Sequence, residues 1–255
     1  MIRYLANDDV TLALERRGDG PRTLLFVHGW ISGRRMWYDV VERLDPARYT
    51  AHLLDFRGAG LSDRPLQGHD LEGYASDLRA ALAAIGPATV VAHSMGGKVA
   101  QYVAAEAPAG LERLILVTPG AAKGYAVNAK HRALAEQAFG SRRRIERFQR
   151  AAMARDVPAA TMERIVEDAL IGQHEAWFGW YDHGRSADFA DRLEGIAAPT
   201  LVLAGENDPL VPPARAKRDV AERIAGALFV MLRNAGHNLP VESPDEIAGA
   251  IARFA

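Results

Sequence analysis

The chain has 255 residues, 49% apolar and 25% charged, the balance of a soluble globular protein long enough for one large domain. Its 31 basic and 32 acidic side chains leave a formal charge of −1, so charge gives no overall case for nucleic acid or an anionic membrane as partner. Cysteine is absent, which excludes disulfides, thiolate metal sites and cysteine nucleophiles together.

The N-terminal stretch has no signal-peptide pattern, and no apolar window reaches transmembrane length, so a cytoplasmic location is the expectation. Val10–Arg16 and Thr23–Val27 read as strands flanking a Gly-Asp-Gly-Pro turn. Helical spacing over Arg35–Leu44 precedes a short strand, Thr50–Leu54. Leu71–Ile85 is predicted helical, with Leu71, Tyr74, Ala75, Leu78 and Leu82 on one face and Gly86-Pro87 as its stop. Ala88–Ala92 reads as a buried strand, Met95 to about Ala107 as a helix, and Leu114–Val117 as a strand. Beyond Pro199 the alternation resumes with a strand at Thr200–Ala204, a helical region over Val211–Ile224 and a strand at Leu228–Leu232. A closing helix over Glu242–Phe254 follows, with Ser243 as N-cap and Pro244 at the first helical position.

Strands that are nearly continuous in apolar residues and alternate with helices predict an α/β fold, a mostly parallel sheet covered by helices on both faces. The span 121–198 contains no convincing strand. It is expected to be a helical lid inserted into a core formed by 1–120 and 199–255.

The stretch Ala92-His-Ser-Met-Gly96 places a hydroxyl at the hinge between a strand and a helix. Small residues two positions either side of Ser94 let strand and helix pass closely and leave the hydroxyl exposed, although Ala92 stands where glycine is usual. A serine needs a base, and the base needs a third group to orient it. Asp208 follows the Thr200–Ala204 strand and His237 follows the Leu228–Leu232 strand, so both fall at strand ends on the edge that carries Ser94. Glu206 is a rival acid of shorter reach. The amides of Met95 and Trp30 are the candidate donors to a developing oxyanion. No phosphate loop, dinucleotide fingerprint or H-E-x-x-H spacing occurs, so neither cofactor nor metal is expected.

Together, FVHGW, DFRGAGLSD, AHSMGG, GENDPLVP and GHN resemble the α/β-hydrolase superfamily over essentially the whole chain. The resemblance implies that His28 and Arg57 are structural and that His93 is not the base. Haloalkane dehalogenases and related epoxide hydrolases carry aspartate in place of Ser94, and C–C bond hydrolases usually show H-G-x-G-P-G where this chain reads HGWISG. What remains is a serine hydrolase of small to medium, largely apolar esters, lactones or thioesters. The alternatives are a non-hydrolytic use of the triad (perhydrolase, cofactor-free haloperoxidase or lyase) and a ligand-binding receptor with negligible turnover.

Two lid features have functional readings. Trp30 is a candidate wall of the pocket, and Trp177, Phe178 and Tyr181, with Trp180, are candidates either for lining an apolar acyl pocket or for anchoring the lid. At about 100° per residue, Arg143, Arg147 and Arg150 share one side of a helix. They form a candidate docking patch for an acyl carrier or a coenzyme A ester. HGW with an arginine-bearing lid is similar to the carrier-protein methyl ester esterases of biotin synthesis.

Overall fold

In the computed structural model, which describes residues 1–126 and 128–255, eight strands form one sheet in the order β1-β2-β4-β3-β5-β6-β7-β8. β1 (Ile2–Asn7) pairs antiparallel with β2 (Val10–Arg17), and β2 pairs antiparallel with β4 (Tyr49–Leu54). The remaining pairings are parallel, through β3 (Arg22–Val27), β5 (Ala88–His93), β6 (Leu111–Val117), β7 (Thr200–Gly205) and β8 (Leu228–Leu232). Every residue of β4, β5 and β7 is buried, which is why these segments read as unbroken apolar runs rather than alternating ones.

Successive side chains of β3 point to opposite faces and so join different cores. Leu25 and Val27 pack under α2 (Leu71–Ile85) and α3 (Ser94–Ala104), against Leu78, Leu82, Val99 and Val103. Leu24 and Phe26 pack under α1 (Tyr38–Val41) and a later helix over Pro244–Phe254, against Trp37, Val40, Ile247 and Ile251. Between β6 and β7 run α4 (Ala129–Ala138), α5 (Arg142–Arg150), α6 (Ala159–Ile171) and α7 (His174–Asp182). Their own core gathers Ile145, Met162, Ile165, Val166, Trp177 and Phe178. α8 (Pro213–Asp219) follows β7; α9 (Leu239–Glu242) and α10 (Pro244–Phe254) close the chain. Among the described residues no helix is long and apolar enough to cross a membrane.

Four segments differ from expectation. β1 was not foreseen, because a strand paired on one side only is largely exposed and its sequence IRYLAN carries little apolar signal. The helix expected over 35–44 is a 3-10 turn, Arg34–Trp37, running into the four-residue α1. Arg34 and Tyr38 both reach Glu15, at 2.8 and 2.7 Å, and those bonds hold the tighter turn. The helix over 211–224 is broken at Val220 (φ −128°) into α8 and a single 3-10 turn, Ala221–Arg223. The closing helix is broken at Ser243 (φ −140°); Ser243 does sit at the N-cap of α10, but its buried hydroxyl makes no hydrogen bond there.

Candidate active site

β5 ends at His93, and the chain turns directly into α3 with Ser94 at φ 50°, the left-handed region that costs an L-residue about 1–2 kcal/mol. The turn is forced by crowding. A side chain on Gly96 would collide with the His28 carbonyl oxygen, so glycine is required where α3 passes the end of β3. Ala92, fully buried, satisfies the other side of the hinge despite its methyl group.

Ser94, His237 and Asp208 come together from three strand ends. His237 Nε2 lies 2.8 Å from Ser94 Oγ, and His237 Nδ1 lies 2.7 Å from Asp208 Oδ2. With Nδ1–H donating to the carboxylate, Nε2 is left to accept from the serine hydroxyl. The second carboxylate oxygen, Asp208 Oδ1, accepts the amides of Leu210 and Val211 at 2.8 Å each, which fixes the carboxylate plane. Glu206, the rival acid, instead accepts the Asn234 amide at 2.9 Å and makes no contact with His237.

The backbone of His237 is itself held. Its carbonyl accepts from Thr118 Oγ1 at 2.9 Å and from His93 Nε2 at 3.0 Å. Burial, with the neighbouring His237, pushes His93 down to about 3, so it stays neutral at the pH where the base would work. His28 accepts the Phe56 amide through Nε2, and Arg57 binds the buried Asp77 through several bonds, the shortest 2.6 Å. Sequence reasoning missed Glu242. This buried carboxylate accepts the amides of Gly236 and Asn238, on either side of His237, and those of Ala154 and Arg155 from the segment before α6.

Ser94 and His237 open onto a cavity of about 380 Å³. Trp30 and Met95 line it too. Met95 sits in the first turn of α3, where amides lack an intrahelical acceptor, and the Trp30 amide meets no protein acceptor among the described residues. Both are free for an anion beside Ser94.

Of the aromatic candidates, Tyr181 and Trp180 line this cavity; Trp177 and Phe178 do not. For these two the pocket-lining expectation is corrected, and the contacts fit the anchoring one. Phe178 packs on Phe139 and His174, and Trp177 on Phe139, inside the helical segment, with the Trp177 carbonyl accepting from Trp30 Nε1 at 2.7 Å. On a helix, neighbours in sequence face different ways, so one aromatic cluster serves two purposes. Arg143, Arg147 and Arg150 lie together outside the cavity, exposed on α5, with Arg150 paired with Glu146 at 2.9 Å. The cations that do line it are Lys98, Arg185 and Arg215. Lys98 lies one turn beyond Ser94 on α3, a spacing that could have flagged it; nothing in the sequence marks the two arginines. Burial, with Arg185 nearby, pushes Lys98 down to about 8 even though Asp188 opposes it.

A mostly parallel sheet with a strained serine elbow, and with acid and histidine at later strand ends, defines the class: an α/β-hydrolase fold with a nucleophile-type site. A profile of the alpha/beta hydrolase family matches residues 24–250, and the chain belongs to that family. It is 28% identical over 256 residues to the non-heme chloroperoxidase of Streptomyces lividans, covering 92% of this chain and 93% of the relative. It is 26% identical over 262 residues to the pimeloyl-[acyl-carrier protein] methyl ester esterase of Nitrosospira multiformis, covering 96% and 98%. The solved esterase EaEST from Exiguobacterium antarcticum superposes with TM-score 0.91 at 21% identity, covering 100% and 99%, a likeness of fold. The protein is thus an enzyme of the α/β-hydrolase fold whose relatives include ester hydrolases.

Proposed function

We propose that the protein is a serine hydrolase of small to medium carboxylic esters, lactones or thioesters, acting through an acyl-enzyme. Ser94 Oγ attacks the carbonyl carbon while His237 Nε2 takes its proton. Asp208 keeps Nδ1 protonated and stabilises the imidazolium. The oxyanion accepts from the Met95 and Trp30 amides. Collapse expels the alcohol or thiol, protonated by His237, and water activated by the same histidine then releases the acid. In this reading residues 121–198 act as a lid, with Trp30, Trp180 and Tyr181 forming the apolar wall beside the acyl carbon.

The observation that carries this reading is the unbroken line Asp208–His237–Ser94, with separations of 2.7 and 2.8 Å, ending at a cavity. The test is turnover of p-nitrophenyl esters from acetate to decanoate by wild type and Ser94→Ala, with intact mass after fluorophosphonate labelling. Turnover and labelling that both vanish with the serine are expected. A variant that keeps its activity would refute the mechanism, and a wild type that neither turns over nor labels would favour a ligand-binding protein. A second reading, perhydrolysis, is favoured by the chloroperoxidase relative. It needs the same acyl-enzyme, with peroxide in place of water, and would appear as peroxide-dependent halogenation in acetate buffer.

A further inference from the structure

The walls of the Ser94 cavity are unbalanced in charge. Lys98, Arg185 and Arg215 line it, and among the described residues no Asp or Glu does, although the chain as a whole carries −1. Most arginines elsewhere in 121–198 are matched, apart from Arg143, Arg144 and Arg147, which are exposed to solvent on α5. Arg132 pairs with Asp182 at 2.7 Å, Arg155 with Glu246 at 2.7 Å, Arg164 with Asp39 at 2.5 Å and Arg142 with Glu163. Among the described residues neither Arg185 nor Arg215 forms an ion pair. The nearest acids are otherwise occupied: Asp219 is held by Arg218 at 2.8 Å, and exposed Asp188 accepts the Ala190 amide at 3.1 Å.

Both guanidiniums are nevertheless held. Arg185 Cζ stacks 4.5 Å from the Tyr181 ring centroid, and Arg215 Cζ lies 5.3 Å from that of Tyr125. Stacking on an aromatic face restrains a guanidinium while leaving its N–H edge available for a planar, bidentate acceptor. Lys98 Nζ donates to the carbonyls of Arg185 and Ala187 at 2.9 and 2.6 Å, so it fixes the main chain that carries Arg185 and adds its charge to the same wall. Such a wall is built for an anion held away from the scissile carbonyl.

We infer that Arg185 and Arg215 form an anion subsite in the Ser94 cavity, and that the substrates are esters or thioesters carrying a second, negatively charged group remote from the carbonyl that is attacked. This rests on the serine-hydrolase reading and narrows it. The anion has two chemical sources, the free carboxylate of a half ester or the phosphates of a coenzyme A thioester.

The experiment compares kcat/KM within two pairs: monomethyl against dimethyl adipate, and butyryl-coenzyme A against the neutral butyryl-N-acetylcysteamine. Wild type should prefer the anionic member of one pair by about ten-fold or more at low salt, and salt near 0.5 M should shrink that ratio several-fold. Preference in the first pair names the carboxylate as the source; preference in the second names the phosphate. In Arg185→Gln/Arg215→Gln the ratio should fall about ten-fold, with the thermal midpoint checked alongside. Two results overturn the subsite: a wild-type ratio at or below one in both pairs, or a preference that the folded double variant keeps. If neutral esters are turned over through Ser94 without any such preference, the subsite alone falls. If no ester is turned over at all, the hydrolase reading falls and takes the subsite with it.

Discussion

Replacing Glu242 with glutamine tests whether the loop that carries His237 is held by one buried carboxylate. Oε2 accepts from Gly236, Ala154 and Arg155 at 2.8, 2.8 and 3.0 Å, and Oε1 accepts from Asn238 at 2.9 Å. Glutamine has a single acceptor oxygen. In its better orientation that oxygen replaces Oε2 and keeps three bonds, now neutral rather than charge-assisted. The amide nitrogen then faces the Asn238 N–H, donor against donor. The orphaned buried donor costs about 1–3 kcal/mol, and each bond that loses its charge gives up a further ~0.5–1 kcal/mol. Glu242→Gln should therefore lose roughly 3–5 kcal/mol by urea unfolding. Because the affected amides flank His237, kcat for p-nitrophenyl butyrate should fall by about ten-fold or more in protein that is still folded. A variant within about 0.5 kcal/mol of wild type and with unchanged kcat would refute the reasoning.

Two further outcomes follow from the same structure. His93 is held near 3 in the fold against 6.5 in an open chain, so below pH 6.5 the unfolded state binds the extra proton and stability falls as pH falls toward 3. At about 1.4 kcal/mol per unit, His93→Asn should flatten the decline of unfolding free energy between pH 6.5 and 4.5 by up to about 3 kcal/mol, and a parallel decline would argue against burial of a neutral ring. Phe178→Ala, inside the helical core and away from the cavity, should cost about 3 kcal/mol while leaving the order of preference among acyl lengths intact; Tyr181→Ala should alter that order, and a reversed pattern would return Phe178 to the pocket.

How much was legible in the sequence depended on whether a feature is written locally. The elbow was legible because its requirements sit within five residues: a strand, a serine in a left-handed turn and a glycine where no side chain fits. Asp208 and His237 were legible because topology carries strand ends to one edge, so their distance in sequence did not matter. Features decided by a partner far along the chain were not. The turn at Arg34–Trp37 is shaped by Glu15 and Asp55, whose bonds to Arg34 outweigh the helical spacing of the local sequence. Glu242 reads as an ordinary acid at the start of a helix until the 152–155 segment folds against it. The arginines of α5 show the limit most directly. Helical periodicity gathered Arg143, Arg147 and Arg150 onto one side and drew attention to the surface. The two arginines that line the serine's cavity come from separate elements, 30 residues apart in number, and share no periodicity. A binding wall assembled from α3, the turn after α7 and the start of α8 has no single stretch in which to announce itself, so its charge could be read only once the cavity existed.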